Sequence, residues 1–258
     1  MIKTSAEGGV GRLQLARPEK LNAMDAEFFA ELPKAVERLE IDDHVRVIVL
    51  DAAGRSFSSG LDLVSMAPNL ASSATVETIT RLQSGFIKLA LCKKPTIAAI
   101  HGHCIGGGLN LAAACDIRIC SSDAVFSLPE VKLGMVADLG ALELLGEVLP
   151  RAALAHIALA GTTFSASEAN AFNLVTQVFD TVEDLREGTF ALAAQIASNP
   201  RPAVLALKEH LLASRKELLP AKMAKVAEIN AALIGSESFQ NSLPTFLKAR
   251  VHLHETSI

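Results

Sequence analysis

HGHCIGGGLN, residues 101–110, is the stretch that decides the fold of this chain. It follows the apolar, strand-like run 97–100 and leads into a helix-like run that ends at Ala114. The three consecutive glycines, Gly106, Gly107 and Gly108, have no Cβ, so their backbone N–H groups can come close to a ligand. They stand where a helix begins, and the unpaired N–H groups and dipole of a helix start favour negative charge. The stretch therefore predicts a strand–turn–helix unit that can stabilise an oxyanion on a carbonyl.

The composition predicts a folded protein with a large buried core. A length of 258 residues fits one large domain or a main domain with a smaller appendage. Half of the residues are hydrophobic and only 20% are charged, which is typical of a folded chain with a large core. Lysine and arginine are scattered, and the net charge of −4 argues against a nucleic-acid-binding protein. No uncharged apolar run reaches the roughly 18 residues that span a bilayer, and the first residues resemble no targeting sequence. We therefore expect a cytoplasmic protein without a membrane segment.

The cysteines and histidines favour neither a disulfide framework nor a metal site. The four cysteines form no Cys-x-x-Cys pair and lie in apolar surroundings, so we expect buried free thiols. His101 and His103 alternate across the end of a predicted strand, which would point their rings to opposite faces. The sequence thus predicts no metal ligand set.

Hydrophobic periodicity outlines an α/β protein built from strand–turn–helix units. We predict strands at residues 10–15, 45–50, 96–100, 117–120, 124–127 and 175–179. We expect helices at residues 26–42, capped by Asp25, at 76–91 and at 109–114, with a mostly helical chain after Ala137. Pro33 lies inside the first helix and predicts a kink or break there. Residues 52–61 and 68–75 are predicted loops.

The glycine stretch does not fit the familiar nucleotide-binding patterns. The G-x-G-x-x-G spacing from Gly102 fails at Cys104, and no Gly-Lys-Ser/Thr follows for a P-loop. On its own the triple glycine could be a packing turn. It is accompanied by four further motifs, Arg17-Pro18-Glu19-Lys20-Leu21-Asn22-Ala23, Ser56-Phe57-Ser58-Ser59-Gly60-Leu61-Asp62-Leu63, Phe126-Ser127-Leu128-Pro129-Glu130-Val131-Lys132-Leu133-Gly134 and Ala137-Asp138-Leu139-Gly140. In this order and at these spacings, the set closely resembles the crotonase superfamily, the enoyl-CoA hydratases and isomerases, over nearly the whole chain.

The resemblance implies a crotonase-type spiral of repeated ββα units with a C-terminal helical region. The Asn199-Pro200-Arg201-Pro202 stretch is the best boundary, so we expect a CoA-thioester binding and catalytic core at residues 1–199. Residues 200–258 would then form a helical oligomerisation region. The family resemblance implies a trimer or a dimer of trimers that acts on an acyl-CoA thioester. Coenzyme A is part of that substrate, so no separate cofactor is expected.

The resemblance also implies a binding site. The family's oxyanion hole uses two backbone N–H groups, which fall here on Leu61 and Gly107. The contacts to the CoA moiety and the substrate would come from Lys20, Ala23, Ser59, Gly60, Leu61, Asp62, Leu63, Gly106, Gly107, Phe246 and Lys248. Lys20 could instead be an ordinary solvated lysine of a turn. Phe246 and Lys248 belong to the C-terminal helix, which in this family usually reaches the CoA of an adjoining subunit.

Three polar positions decide the reaction that the resemblance implies. Hydratases of the family carry two glutamates that activate water; the first falls on Asn110, whose amide cannot act as a general base, and the second falls on Glu130. Asp138, in a segment similar to that of dienoyl-CoA isomerases, would pair with Glu130. One carboxyl group would remove a proton and the other would return one at a distant carbon. We hypothesise that Asn110 orients Glu130 through a hydrogen bond.

The first interpretation is therefore an acyl-CoA double-bond isomerase of dienoyl or enoyl type. One alternative is an enoyl-CoA hydratase that tolerates Asn110, and another is a catalytically weak acyl-CoA-binding protein. Asp138 could also be only the N-cap of a helix at residues 139–145. The acyl pocket is expected to involve Val136, Ala137, Leu142 and the loop at residues 68–75.

Overall fold

The computed structural model describes residues 1–66 and 75–255, with side chains as far as Lys248. The predicted loop at residues 68–75 lies, apart from Thr75, outside the described residues. The strands are β1 (Ile2–Glu7), β2 (Val10–Leu15), β3 (Val47–Ala52), β4 (Thr96–Ile100), β5 (His103–Ile105), β6 (Ile117–Ser121), β7 (Val125–Ser127), β8 (Thr163–Ser165) and β9 (Gln177–Phe179). The labelled α-helices are α1 (Ala26–Ile41), α2 (Val76–Ala90), α3 (Gly107–Ala113), α4 (Ala141–Leu145), α5 (Arg151–Ala160), α6 (Ala166–Ala171), α7 (Val182–Ser198), α8 (Arg201–Ile234) and α9 (Glu237–Glu255). Short 3₁₀ turns lie at Pro18–Lys20 and Pro129–Leu133.

The strands form two sheets. Six of them pair in the order β1-β2-β3-β4-β6-β9, and the other three pair in the order β5-β7-β8. In the larger sheet β1 is antiparallel to β2, and every later pair is parallel. In the smaller sheet β5 is parallel to β7, which is antiparallel to β8. Because β4 belongs to the larger sheet and β5 to the smaller one, the chain changes sheet at Gly102, just before the triple glycine.

The larger sheet is buried on both faces. All six residues of β3 are buried, as expected for a central parallel strand rich in β-branched residues. Successive side chains of a strand point to opposite faces, so Val47 and Val49 pack with Leu185 and Ala193 of α7. Ile48 and Leu50 belong to the other cluster of the core, to which α1 and α2 contribute their buried faces.

Most predicted elements are found within a few residues of their expected bounds, and the Asp25 cap is confirmed because its side chain accepts a hydrogen bond from Phe28 N. The predicted break at Pro33 is wrong, since α1 continues through it. Its buried apolar stripe, from Phe28 to Leu39, packs on α2 and the core and can offset one lost backbone hydrogen bond. The strands β1, β5 and β8 were not predicted, and β1 precedes the predicted strand at residues 10–15.

The four thiols are free and buried, as predicted. Burial raises the pKa of Cys92 to about 11 and that of Cys115 and Cys120 to about 12. The pKa of Cys104 is raised well above its ordinary value for the same reason. Among the helices that the structure describes, each is too short or too polar to cross a bilayer.

Candidate active site

The site begins with the turn that follows β2. Leu21 and Asn22 both adopt the left-handed conformation, with φ of 49° and 52°, which costs free energy in residues other than glycine. The Asn22 side chain offsets that cost: its amide nitrogen lies 2.8 Å from the carbonyls of Ala53 and Ser56, and its oxygen accepts from Arg17 N at 2.8 Å. This turn delivers the following residues to the segment at 58–62.

That segment is fixed by backbone pairing on both sides. Met24 N donates to Gly60 O and Asp62 N donates to Met24 O, each at 2.8 Å. Ser58 pairs with β5, because Ser58 N donates to His103 O and Ile105 N donates to Ser58 O. The Ser58 hydroxyl donates to Asn22 O at 2.9 Å and accepts from Gly60 N at 3.1 Å. Leu61 is therefore held rigidly between the first turn and the glycine stretch.

Glycines allow the two predicted amide segments to meet. A Cβ at Gly60, where φ is 86°, would lie 2.6 Å from Ile105 O and 3.2 Å from Gly107 N. A Cβ at Gly107 would lie 3.1 Å from the Leu61 side chain. Gly107 is the first residue of α3, where an N–H has no acceptor within its helix. The structure thus brings the predicted pair, Leu61 and Gly107, to one place. Residues 60 and 107 are glycines because a side chain at either position would obstruct this close approach.

Glu130 lies beside the glycine turn. A Cβ at Gly106 would be 3.2 Å from Glu130 Oε1, so the carboxylate stands next to the start of α3. Asn110 is 1% exposed and lies behind it. Its amide nitrogen donates to Gly106 O at 2.9 Å and to Glu130 Oε1 at 3.3 Å, and its oxygen accepts from Ala141 N at 2.8 Å. This arrangement agrees with the hypothesis that Asn110 orients Glu130.

Asp138 lines one cavity together with Glu130 and Gly106. Burial raises its pKa to about 6, and the like charge of Glu143 adds to that effect, whereas a hydrogen bond from the Asn230 side chain lowers the pKa. The alternative that Asp138 caps a helix is wrong, because α4 begins at Ala141 and its N-cap is Gly140, with φ of 102°. A carboxyl group with a raised pKa in a cleft is typical of proton transfer.

One continuous surface joins these groups to a groove. The inner cavity is lined by Ser59, Gly60, Leu61, Leu63, Ile105, Gly106, Gly107, Pro129, Glu130, Leu133, Met135, Asp138, Leu139 and Phe246. The groove, of about 790 Å³, shares Ser59, Leu61 and Leu63 with the cavity and continues past Ala23 to the exposed Lys20. Such a volume is in the range of small-molecule sites.

The groove contains two arginines that the sequence analysis did not assign. Arg17 Nη1 donates to Asp62 at 2.9 Å and lies 3.2 Å from Asp25, so the Asp62 carboxylate is paired with a cation instead of facing the groove alone. Arg55 is exposed at the groove wall. Arg17 belongs to the same sequence motif as Lys20, whereas no periodic or spacing signal marks Arg55, and only the fold places Arg55 beside Lys20.

The remaining predicted residues are divided. Phe246 lines the cavity of its own chain, and the neighbouring Leu247 lines the groove, whereas the resemblance implied an adjoining subunit. Lys248 is exposed on α9 and does not line the cavity or the groove as described. Leu133, Met135 and Leu139 line the cavity in place of the expected Val136, Ala137 and Leu142.

The two histidines turn toward one loop and not to opposite faces. His101 Nε2 is 2.9 Å from Gly54 O, and His103 Nδ1 is 3.1 Å from the Ser56 hydroxyl. The chain changes sheet between them, so the alternation expected of a single strand does not apply. Both side chains help to fix the loop that carries Arg55.

Comparison with known proteins identifies the family. The model of the enoyl-CoA hydratase/isomerase family matches residues 5–255. The peroxisomal Delta(3,5)-Delta(2,4)-dienoyl-CoA isomerase of Arabidopsis thaliana is 36% identical over 97% of this chain and 94% of that protein. A probable enoyl-CoA hydratase of Mycobacterium tuberculosis is 34% identical over 92% of this chain and 97% of that protein. The crystal structure of an enoyl-CoA hydratase/isomerase from Pseudoalteromonas atlantica has a TM-score of 0.87 and 29% identity, and covers 96% of this chain and 97% of that one.

The chain therefore belongs to the enoyl-CoA hydratase/isomerase family and is an enzyme of that family. The predicted family and the predicted α/β, crotonase-type fold are confirmed. The fold places the site where the larger sheet gives way to the smaller one, at the start of α3.

Proposed function

We propose that this enzyme is a dienoyl-CoA isomerase that converts a 3,5-dienoyl-CoA into the 2,4-dienoyl-CoA. The observation that carries the proposal is the pair of carboxyl groups, Glu130 and Asp138, that line one cavity together with Leu61 and Gly107. Curated relatives from plant and mammal are named as isomerases of this kind. A shift of two conjugated double bonds needs a base at one end and an acid at the other, which a single carboxylate cannot supply as readily.

The groove supports an acyl-CoA thioester as the substrate. Lys20 and Arg55 place positive charge at its outer part, where the phosphates of coenzyme A would lie. The pantetheine arm would pass Ala23 and Ser59 toward the cavity. The thioester oxygen would then accept hydrogen bonds from the backbone N–H groups of Leu61 and Gly107, in a site where preorganised donors stabilise developing negative charge.

In this proposal the two acids divide the proton steps between them. Glu130, beside Gly106, takes the proton from C2, and the electron pair of the C2–H bond passes into the thioester to give a dienolate. The two amides hold the oxyanion. Asp138 in its protonated form gives its proton to C6, and the double bonds then stand at C2 and C4. Glu130 afterwards releases its proton to solvent and Asp138 regains one, so the cycle balances.

An assay panel tests this function. Purified enzyme is incubated separately with a 3,5-dienoyl-CoA, a 3-enoyl-CoA and crotonyl-CoA, and the products are followed by ultraviolet absorbance and mass spectrometry. The proposal expects the 3,5-dienoyl thioester to give the highest kcat/KM. A higher kcat/KM for hydration of crotonyl-CoA would show that the enzyme is a hydratase and not an isomerase. Binding of every thioester without turnover would indicate an acyl-CoA-binding protein.

Replacement of Asn110 by aspartate should change the pH profile of the isomerase. One carboxylate oxygen can accept from Ala141 N, but the other would face Gly106 O and Glu130 Oε1, which are both acceptors. The pair must then share a proton, and we expect the acidic limb of kcat/KM to move up by about one to two pH units. Asn173→Asp, at an exposed position with positive φ, is the matched control. An unchanged profile would contradict the orienting role of Asn110.

We also propose that the enzyme is a homo-oligomer, a trimer or a dimer of trimers, in the cytoplasm. The support for assembly is the apolar surface of α8, where Leu207 and Leu211 are 66% and 68% exposed one helical turn apart. Burial of such residues between copies of the chain is a common use of an apolar helix face. Light scattering on the purified protein measures the mass of the assembly.

A further inference from the structure

The segment that carries Asp138 has no regular secondary structure, yet three buried carboxamide side chains hold it. Gln83 of α2 donates to Asp138 O at 2.8 Å and to Met223 O of α8 at 2.9 Å. Asn110 of α3 accepts from Ala141 N. Asn230 of α8 completes the set. Gln83 and Asn230 are both 0% exposed, so these contacts are shielded from competing water.

Asn230 makes the most complete of these contacts. Its amide nitrogen donates to Val136 O at 2.8 Å, and its oxygen accepts from Val136 N at 2.9 Å, so one side chain pairs with both backbone groups of one residue. Its interaction with the Asp138 carboxyl group lowers the pKa of that group, and Val136, with which it pairs, lies two residues before Asp138. A carboxamide can do all of this without adding a charge, because it has two donor hydrogens and an acceptor oxygen.

We propose that Asn230 is a positioning residue, which fixes the Asp138 segment against α8 and supplies a hydrogen bond to the Asp138 carboxylate. The proposal rests on the proposed isomerase function, in which Asp138 is the acid at C6. It assigns to the C-terminal region, predicted only to mediate oligomerisation, a direct part in the catalytic site. Gln83 joins α2 and α8 behind the same segment and keeps Asn230 in register with it.

The charged groups that face Asp138 limit what else could control its titration. Glu143 of α4 has a raised pKa because it is buried, and it acts on Asp138 as a like charge. Lys222 of α8 acts on Glu143 and lowers its pKa. Glu130 lines the same cavity as Asp138. α2 contributes Gln83, which is neutral. From α8, the neutral Asn230 amide is the donor offered to the Asp138 carboxylate.

Two variants of Asn230 separate a positioning role from a purely structural one. Asn230→Leu removes both donor and acceptor, and we expect the pKa of Asp138 to rise by about one to two pH units, as loss of a hydrogen bond to a charged group predicts. Asn230→Asp is closer in shape, but it turns an acceptor toward Val136 O and Asp138. It should raise the pKa of Asp138 at least as much and should regain isomerase activity at low pH, where the introduced carboxyl group is protonated and can donate again.

The titration is measured in the substrate-free, full-length enzyme by ¹³C NMR of labelled aspartate side chains, with the Asp138 signal assigned by its loss in Asp138→Asn. Asn170→Leu, an exposed amide of α6, is the control for general effects of the substitution. We expect kcat of Asn230→Leu to fall by about 10- to 100-fold with KM within threefold, since the groove is untouched. In an Asp138→Asn background the same substitution should have no further effect on kcat.

The outcomes are distinguishable from failure of the proposed function. If Asp138 titrates in Asn230→Leu and Asn230→Asp as it does in the parent enzyme, the positioning role is wrong, whatever the enzyme catalyses. If Asn230→Leu does not fold, the pH profile of the near-isosteric Asn230→Asp decides: no recovery of isomerase activity at low pH would overturn the positioning role. If the titration moves as expected but the parent enzyme does not isomerise dienoyl-CoA, the contact stands and only the proposed reaction is overturned.

Discussion

Replacement of Glu130 by glutamine is expected to lower kcat for dienoyl-CoA isomerisation by about 10³, the range typical of a lost general base. The glutamine side chain keeps the size of the original one and can still accept a hydrogen bond from Asn110. The change therefore removes the basic oxygen and little else. KM should stay within a few fold, because Lys20, Ala23 and Arg55 line the groove and do not line the cavity that holds Glu130.

Two measurements check this result. One follows the absorbance of the conjugated product, and the other follows exchange of the C2 proton of the substrate with deuterated water. Both should be lost in Glu130→Gln and retained in Glu187→Gln, an exposed glutamate of α7. Exchange at C2 that continues at the parent rate in Glu130→Gln would show that another group is the base.

Replacement of Asp138 by asparagine is expected to separate the two halves of the reaction. Glu130 still removes the C2 proton and the two amides still hold the dienolate, so exchange at C2 should continue. Delivery to C6 has lost its acid, and isomerisation should fall by about 10² to 10⁴. Parallel loss of exchange and isomerisation would mean that Asp138, and not Glu130, is the base at C2.

The same variant is expected to be more stable than the parent enzyme above pH 6. Burial raises the pKa of Asp138 from 3.8 to about 6, so the unfolded chain loses this proton more readily than the folded one. The folded state therefore loses stability as pH rises from about 4 to 6. The loss is about 3 kcal/mol when the pKa values of the folded and unfolded states differ by about two pH units. Urea unfolding of both proteins at pH 4 and pH 8 should show the difference between them growing with pH. A difference that does not depend on pH would mean that Asp138 titrates normally.

The sequence was sufficient where a function depends on backbone and local spacing. Gly60, Gly106 and Gly107 stand where a Cβ would collide with a neighbour or crowd it, and the motifs that contain these glycines mark the positions in the sequence. Glu130 and Asp138 were found through the motifs around them. The predicted fold is confirmed. It could be predicted because the hydrophobic pattern of a buried strand such as β3 depends on the strand's own residues.

The sequence was insufficient where a residue acts through partners that are distant along the chain. Gln83 and Asn230 look like ordinary polar residues of helices, and 140 positions separate Gln83 from its acceptor at Met223. β1 was missed because an edge strand needs few apolar residues: most of its side chains are exposed, and only its pairing with β2 defines it. Pro33 misled for the opposite reason, since tertiary packing overrode a local preference.

Because the four thiols are buried, their reactivity can be used to measure unfolding of this enzyme. An alkylating reagent needs a thiolate that reaches solvent, and the intact fold withholds both the ionisation and the access. At neutral pH a cysteine is therefore modified only in molecules whose structure has unfolded around that cysteine. Cys104 lies in β5 and Cys120 in β6, one in each sheet. The order in which the two react would reveal which sheet separates first.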